Sequence, residues 1–253
     1  MNTIEYLHAA SQYLAAVALQ FIEKKEDDSH SNLQWDVEER TFRTRPIGGK
    51  GHQLELWVDD FTLAWTLEED LEFDLSGSSH GSCLDWINAT LQQLGFKDKL
   101  IFKFHYALPY HTWDSDKLFP LPDEELAENL EVHADLRSWV SEVLEDLLSN
   151  EEIRVWPHHF DTGALIDVSK EGNEVMSSIG LGLAIPDELC SHPYAYVSGW
   201  KKGRNLQLTP PNTSIGEWNK NGFNGVIMPM DETHYNELHS FFTMSIQHIK
   251  KQL

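Results

Sequence analysis

Residues 53–75 read Q-L-E-L-W-V-D-D-F-T-L-A-W-T-L-E-E-D-L-E-F-D-L. Leu54, Leu56 and Val58 fall on one face of an extended chain, Phe61, Leu63 and Trp65 on one face of the next run, and Leu71, Phe73 and Leu75 on one face of a third. Because side chains of a strand alternate between two faces, three such runs in succession predict an antiparallel meander that buries one side.

Upstream, residues 33–37 and 41–46 are two more extended runs around a turn at Glu38 and Glu39, and Gly48-Gly49-Lys50-Gly51 follows. That glycine cluster lacks both the strand-loop-helix setting and the Lys-Ser/Thr end of a phosphate-binding loop, so it is a hairpin connection. Residues 3–25 carry Leu7, Ala10, Leu14, Val17 and Phe21 at helical spacing, with His8 on the edge of the stripe.

Downstream, Ser82-Cys83-Leu84-Asp85 has the form of a helix start, Ile87, Leu91 and Leu94 supply its apolar stripe and Gly95 its stop. Residues 100–104 read as a strand and 105–123 as an irregular connection containing His111 and Trp113. A second long helix is predicted from residues 133–135 to Asn150 on Leu136, Val140, Val143 and Leu147, with Glu142, Glu145 and Asp146 on a solvated face. Strands follow around residues 154–167, 179–185, 194–200 and 223–228, with a loop over 205–219 and a closing helix capped by Asp231. Helices spaced among antiparallel strands without a βαβ rhythm make this an α+β protein, antiparallel sheet flanked by several helices. The expectation is a single domain of residues 1–253; Trp57 to Phe61 can be laid over Trp156 to Phe160 as W-x-x-x-F, which leaves two similar halves, 1–122 and 123–253, as an alternative to a chain without repeats.

The chain has 253 residues, enough for a core that needs neither metal nor disulfide. Its 41 acidic and 19 basic residues give a formal charge of −22, which repels phosphate backbones and anionic lipid, so neither nucleic acid nor membrane is an expected partner. The two cysteines, Cys83 and Cys190, stand far apart and outside any paired metal or redox spacing. No apolar run approaches the ~20 residues of a membrane span, and Glu5 stands where a secretion signal carries positive charge, so the expectation is a cytoplasmic bacterial protein.

The densest chemistry lies at residues 154–167, R-V-W-P-H-H-F-D-T-G-A-L-I-D. Two adjacent histidines and a carboxylate follow a proline between two apolar runs. Alternation counted from Trp156 puts His158 on that tryptophan's face and His159 on the face of Asp161, unless the proline introduces a bulge. Imidazole titrates near neutral pH and needs a fixed tautomer, so His159 is the candidate general base and Asp161 the group that orients it. His8, His133, His158, Trp156 and Tyr196 are the candidate ligand-binding residues, an aromatic and histidine lining of the kind small-molecule pockets use. A divalent metal is the cofactor such a cluster could take, with His8, His105, His111 or His133 as further ligands, although the helical H-E-x-x-H pattern is absent. The leading reading is therefore small-molecule or metal binding in a His/Asp/aromatic pocket, with hydrolase-like chemistry if it is an enzyme. The alternative is a non-catalytic protein-interaction domain with an acidic surface.

Five short motifs occur in a telling order: Tyr6-Leu7-His8 followed by Gln12; His133-Ala134; His159-Phe160-Asp161; Tyr194-Ala195-Tyr196; and a strand from Gly225 to Pro229. In these the whole chain resembles an uncharacterised, mainly bacterial family catalogued as domain of unknown function 5996. That family often continues its first helix with a glycine-lysine pair, where this chain has Val17-Ala18. The resemblance implies a shared fold and a shared pocket around His8, His133, His159 and Asp161, and no particular reaction.

Overall fold

A computed structural model describes every residue except 27, 69–70, 109–118, 150, 213–214 and 232–233, and the described residues form four α-helices, two single-turn 3-10 helices and two antiparallel sheets. His111, Trp113 and the predicted helix stop at Asn150 lie outside the described residues. The fold is α+β. Two compact units are present, Met1–Asp135 with Val155–Phe160 and Leu136–Arg154 with Asp161–Leu253.

In the first unit, α1 (Thr3–Phe21) starts at Asn2, whose side chain accepts from the Glu5 amide while Glu5 accepts from the Asn2 amide. This reciprocal box satisfies two of the donors that a helix start leaves open. Every residue from Leu7 to Ala18 is buried, so the helix is enclosed on all sides rather than along the predicted stripe. Five alanines in that stretch keep it slim enough for close approach from all directions.

The five-stranded sheet runs in sequence order: β1 (Gln34–Asp36), β2 (Thr41–Arg43), β3 (Leu54–Trp57), β4 (Thr62–Trp65) and β5 (Glu72–Asp74). Its register pairs Leu54 with Trp65, Leu56 with Leu63 and Leu63 with Phe73, which is the alternation of residues 53–75 made physical. α2 (His80–Gln93) begins two residues before the predicted Ser82, because Ser79 is the cap and Ser82 is its reciprocal partner. Residues 100–104 form no strand.

α3 (Glu124–Leu147) starts some nine residues before the predicted position. Its first turns bury only Leu126 and Leu130 among acids, too thin a stripe to read as a core helix. In the second sheet the order is β10 (Glu217–Trp218), β11 (Gly225–Pro229), β9 (Tyr194–Lys201), β8 (Glu174–Ala184), β7 (Asp161–Glu171) and β6 (Arg154–Trp156). α4 (Tyr235–Lys250) packs Leu238, Phe241, Phe242 and Ile249 into a core with Leu181, Leu183, Val197 and Val226. Asp231 does not cap this helix; the cap is His234, whose Nδ1 lies 2.8 Å from the Asp231 carboxylate. Gly163 pairs with Gly182 so closely that a Cβ on either would collide with backbone oxygen across the ladder, which explains glycine at both positions beside Thr162.

The shared W-x-x-x-F has a local cause. After β3 and after β6 the chain makes a four-residue turn whose last residue is left-handed, Phe61 at φ +48° and Phe160 at φ +59°, and Arg40 closes the turn after β1 in the same way at φ +52°. A bulky residue is costly there, by roughly 1–2 kcal/mol, and persists only where its surroundings over-determine it. Burial of both phenylalanine rings supplies that determination.

Candidate functional site

The turn 157–160 is held by α1 from below. His8 and Gln12, one helical turn apart, both donate to the carbonyl of Pro157, from Nε2 of His8 at 2.7 Å and Nε2 of Gln12 at 2.9 Å. The His8 bond fixes the tautomer, since the ring nitrogen that meets a carbonyl must carry the proton. Gln12 also accepts from the Tyr106 hydroxyl at 2.7 Å. Phe160 is wholly buried and stacks on two imidazoles, His8 at a centroid distance of 4.9 Å and 6° between planes, and His133 of α3 at 5.9 Å and 16°.

From this base the two remaining histidines of the turn emerge. The rings of His158 and His159 lie 4.3 Å apart; His158 is half-buried and His159 exposed. His158 also faces Tyr106 at 5.7 Å. Burial, then the proximity of His159 and His105, push the His158 pKa below its ordinary value, so this imidazole is neutral at pH 7. Burial raises the Tyr106 phenol above the usual tyrosine range, leaving it a permanent donor. Because residues 157–160 are a turn, strand alternation does not govern which way these side chains point. Trp156, half-buried at the end of β6, precedes the turn.

Asp161 and Tyr196 meet in the second unit. The Tyr196 hydroxyl donates to Asp161 Oδ2 at 2.6 Å, and burial, then the Asp161 carboxylate, drives the phenol pKa well above its ordinary value. Arg137 of α3, completely buried, donates to Thr162 Oγ1, and the negative charge of Asp161 acts on it. Burial pulls the guanidinium down to about 9 and Asp161 opposes that shift, so Arg137 remains charged at neutral pH.

His8 and His133 are thus brought together on Phe160, with His158 and His159 on the same turn, while Asp161 is bonded to Tyr196. Among the described residues no three His, Cys, Asp or Glu side chains form a set that could hold a metal ion. Gln12, Tyr106, Phe160 and Arg137 were not singled out as site residues. Two had a signal in the sequence: Gln12 follows His8 by four residues on a helix, and Arg137 interrupts the apolar spacing 130-134-137-140-144.

No family model, curated protein or solved structure matches this chain. No helix among the described residues is long and apolar enough to cross a membrane.

Proposed function

We propose that this is a cytoplasmic small-molecule-binding protein whose ligand meets the His158–His159 pair and the Tyr106 ring. The observation that carries the reading is the support of the turn. Buried His8, Gln12 and His133 fix the carbonyl of Pro157 and the ring of Phe160, and the two residues between them present imidazoles outward. Rigid positioning of this kind by buried polar groups is how binding groups are held to a defined geometry. A neutral imidazole offers one donor and one acceptor, and a chain of charge −22 attracts cations and repels anions. The ligand class is therefore a small neutral or cationic molecule. Asp161 as the orienter of a catalytic His159 is not part of this proposal.

A second reading, an acidic docking surface, rests on the exposed Glu124, Glu125, Glu128 and Glu131 of α3. Thermal-shift measurements against Zn²⁺, Ni²⁺, Mn²⁺ and a panel of neutral and cationic metabolites distinguish the two. Stabilisation of the native protein that disappears in His158→Ala and His159→Ala, with the unliganded Tm unchanged, is the expected result. Stabilisation by none of these, or stabilisation indifferent to both substitutions, overturns the binding reading in favour of the docking surface.

A further inference from the structure

In the second unit a cleft of about 580 Å³ opens between residues 205–210 and residues 219–224. Its side-chain chemistry is unlike the rest of the molecule. Asp, Glu, Lys and Arg make up 24% of the chain, yet among the described residues none of them lines this cleft. The polar groups are amides and a hydroxyl, from Asn205, Gln207, Asn219, Asn224 and Thr209, and one aromatic ring, Phe223, stands among them.

The cleft is built before any ligand arrives. Thr209 is fastened to the C-terminal end of α4, its amide donating to Gln252 Oε1 at 2.8 Å and its carbonyl accepting from His248 Nε2 at 2.6 Å and Gln252 Nε2 at 3.1 Å. Across the opening, Asn219 donates its side-chain amide to the Leu208 carbonyl at 2.7 Å and Asn224 donates to the Gly199 carbonyl at 2.9 Å. Each of those bonds uses only the NH₂ end of the side chain, so each amide oxygen is left as an acceptor. Asn205 and Gln207 are exposed, and neither side chain is engaged in a hydrogen bond within the protein.

We infer that this cleft is a binding site for a neutral saccharide. Amide side chains offer a donor and an acceptor side by side, which matches the paired hydroxyls of a sugar, and an aromatic ring packs against the apolar C–H face of a pyranose. A charged ligand would find no counter-ion here and would lose its own hydration without compensation. Walls fixed by hydrogen bonds to α4 and the sheet lower the ordering cost that weak polar ligands cannot otherwise meet.

The test is a screen of the full chain against neutral oligosaccharides on an array, followed by isothermal titration of the best binder and of glucosamine and glucuronate as charged comparators. Asn205 and Gln207 are exposed, so N205D/Q207E places two carboxylates on the rim without disturbing the core. The expected result is saturable binding of a neutral sugar, weakened by about tenfold or more in N205D/Q207E at unchanged Tm. Three results overturn the inference: no neutral saccharide binds at millimolar concentration, a charged comparator binds more tightly, or binding is indifferent to N205D/Q207E. Binding lost in His158→Ala and retained in N205D/Q207E places the sugar on the histidine turn, which refutes the cleft and supports the proposal for the turn.

Discussion

The imidazole of His8 lies flat on the ring of Phe160, centroids 4.9 Å apart and planes within 6°, while its Nε2 holds the carbonyl of Pro157 three residues earlier at 2.7 Å. One buried side chain thus grips a turn by both its backbone and its aromatic residue. Gln12→Ala removes the second donor to that carbonyl and the acceptor of the Tyr106 hydroxyl. Losing buried hydrogen bonds of this kind costs about 1–3 kcal/mol, so urea denaturation should show a lower midpoint for Gln12→Ala, and His8→Ala should be at least as damaging because the stacking goes too. Wild-type stability in both variants would show that the clamp contributes nothing.

Leu67 offers the opposite case. It is left-handed at φ +69° and 72% exposed, so nothing packs around it to offset the conformational cost. Leu67→Gly should stabilise the protein by about 1 kcal/mol, read as a higher denaturation midpoint at unchanged slope.

Two histidines set an acid limit. Burial pushes the pKa of His80, whose Nδ1 meets the Tyr13 hydroxyl at 2.8 Å, below 6.5, and it does the same to His158. The unfolded chain therefore binds protons more readily than the folded one. The stability from these two sites is complete above about pH 6.5 and is lost as the pH falls below that value toward their folded pKa values. Denaturation midpoints between pH 8 and pH 5 should fall with acid, and H80Q/H158Q should flatten that slope; a slope the same in the double variant removes these histidines from the account.

Arg137 is charged and wholly buried beside Thr162, with Asp161 acting on it. Arg137→Met takes away the buried positive charge and leaves Asp161 with the Tyr196 hydroxyl but no counter-charge from Arg137, an effect of up to about 3–5 kcal/mol. Equilibrium unfolding of Arg137→Met measures it, and a loss below about 1 kcal/mol would mean that solvent already screens Asp161.

Much of the architecture could be read from alternation and caps. The meander of residues 53–75 appears with its apolar faces paired as spaced, because burial of one side of a sheet leaves a period of two in the chain. The start of α3 could not be read, since Glu124 to Val132 carries only Leu126 and Leu130 toward the core. At the candidate site, His8 and His133 are legible as candidate residues, but what joins them is not. Phe160 organises the cluster from a left-handed conformation that its residue type disfavours, and no propensity predicts that. The shared W-x-x-x-F was visible in the sequence, and its cause is a turn geometry that Arg40 shares without sharing the motif.

The carbonyl that His8 and Gln12 hold belongs to a residue 149 and 145 positions further along the chain. During synthesis α1 leaves the ribosome with these two polar side chains unsatisfied and must wait for more than half of the polypeptide before residues 155–160 can close the first unit. A nascent chain halted near residue 150 is thus a client for chaperones, whereas one carried past residue 160 has all it needs to complete that unit.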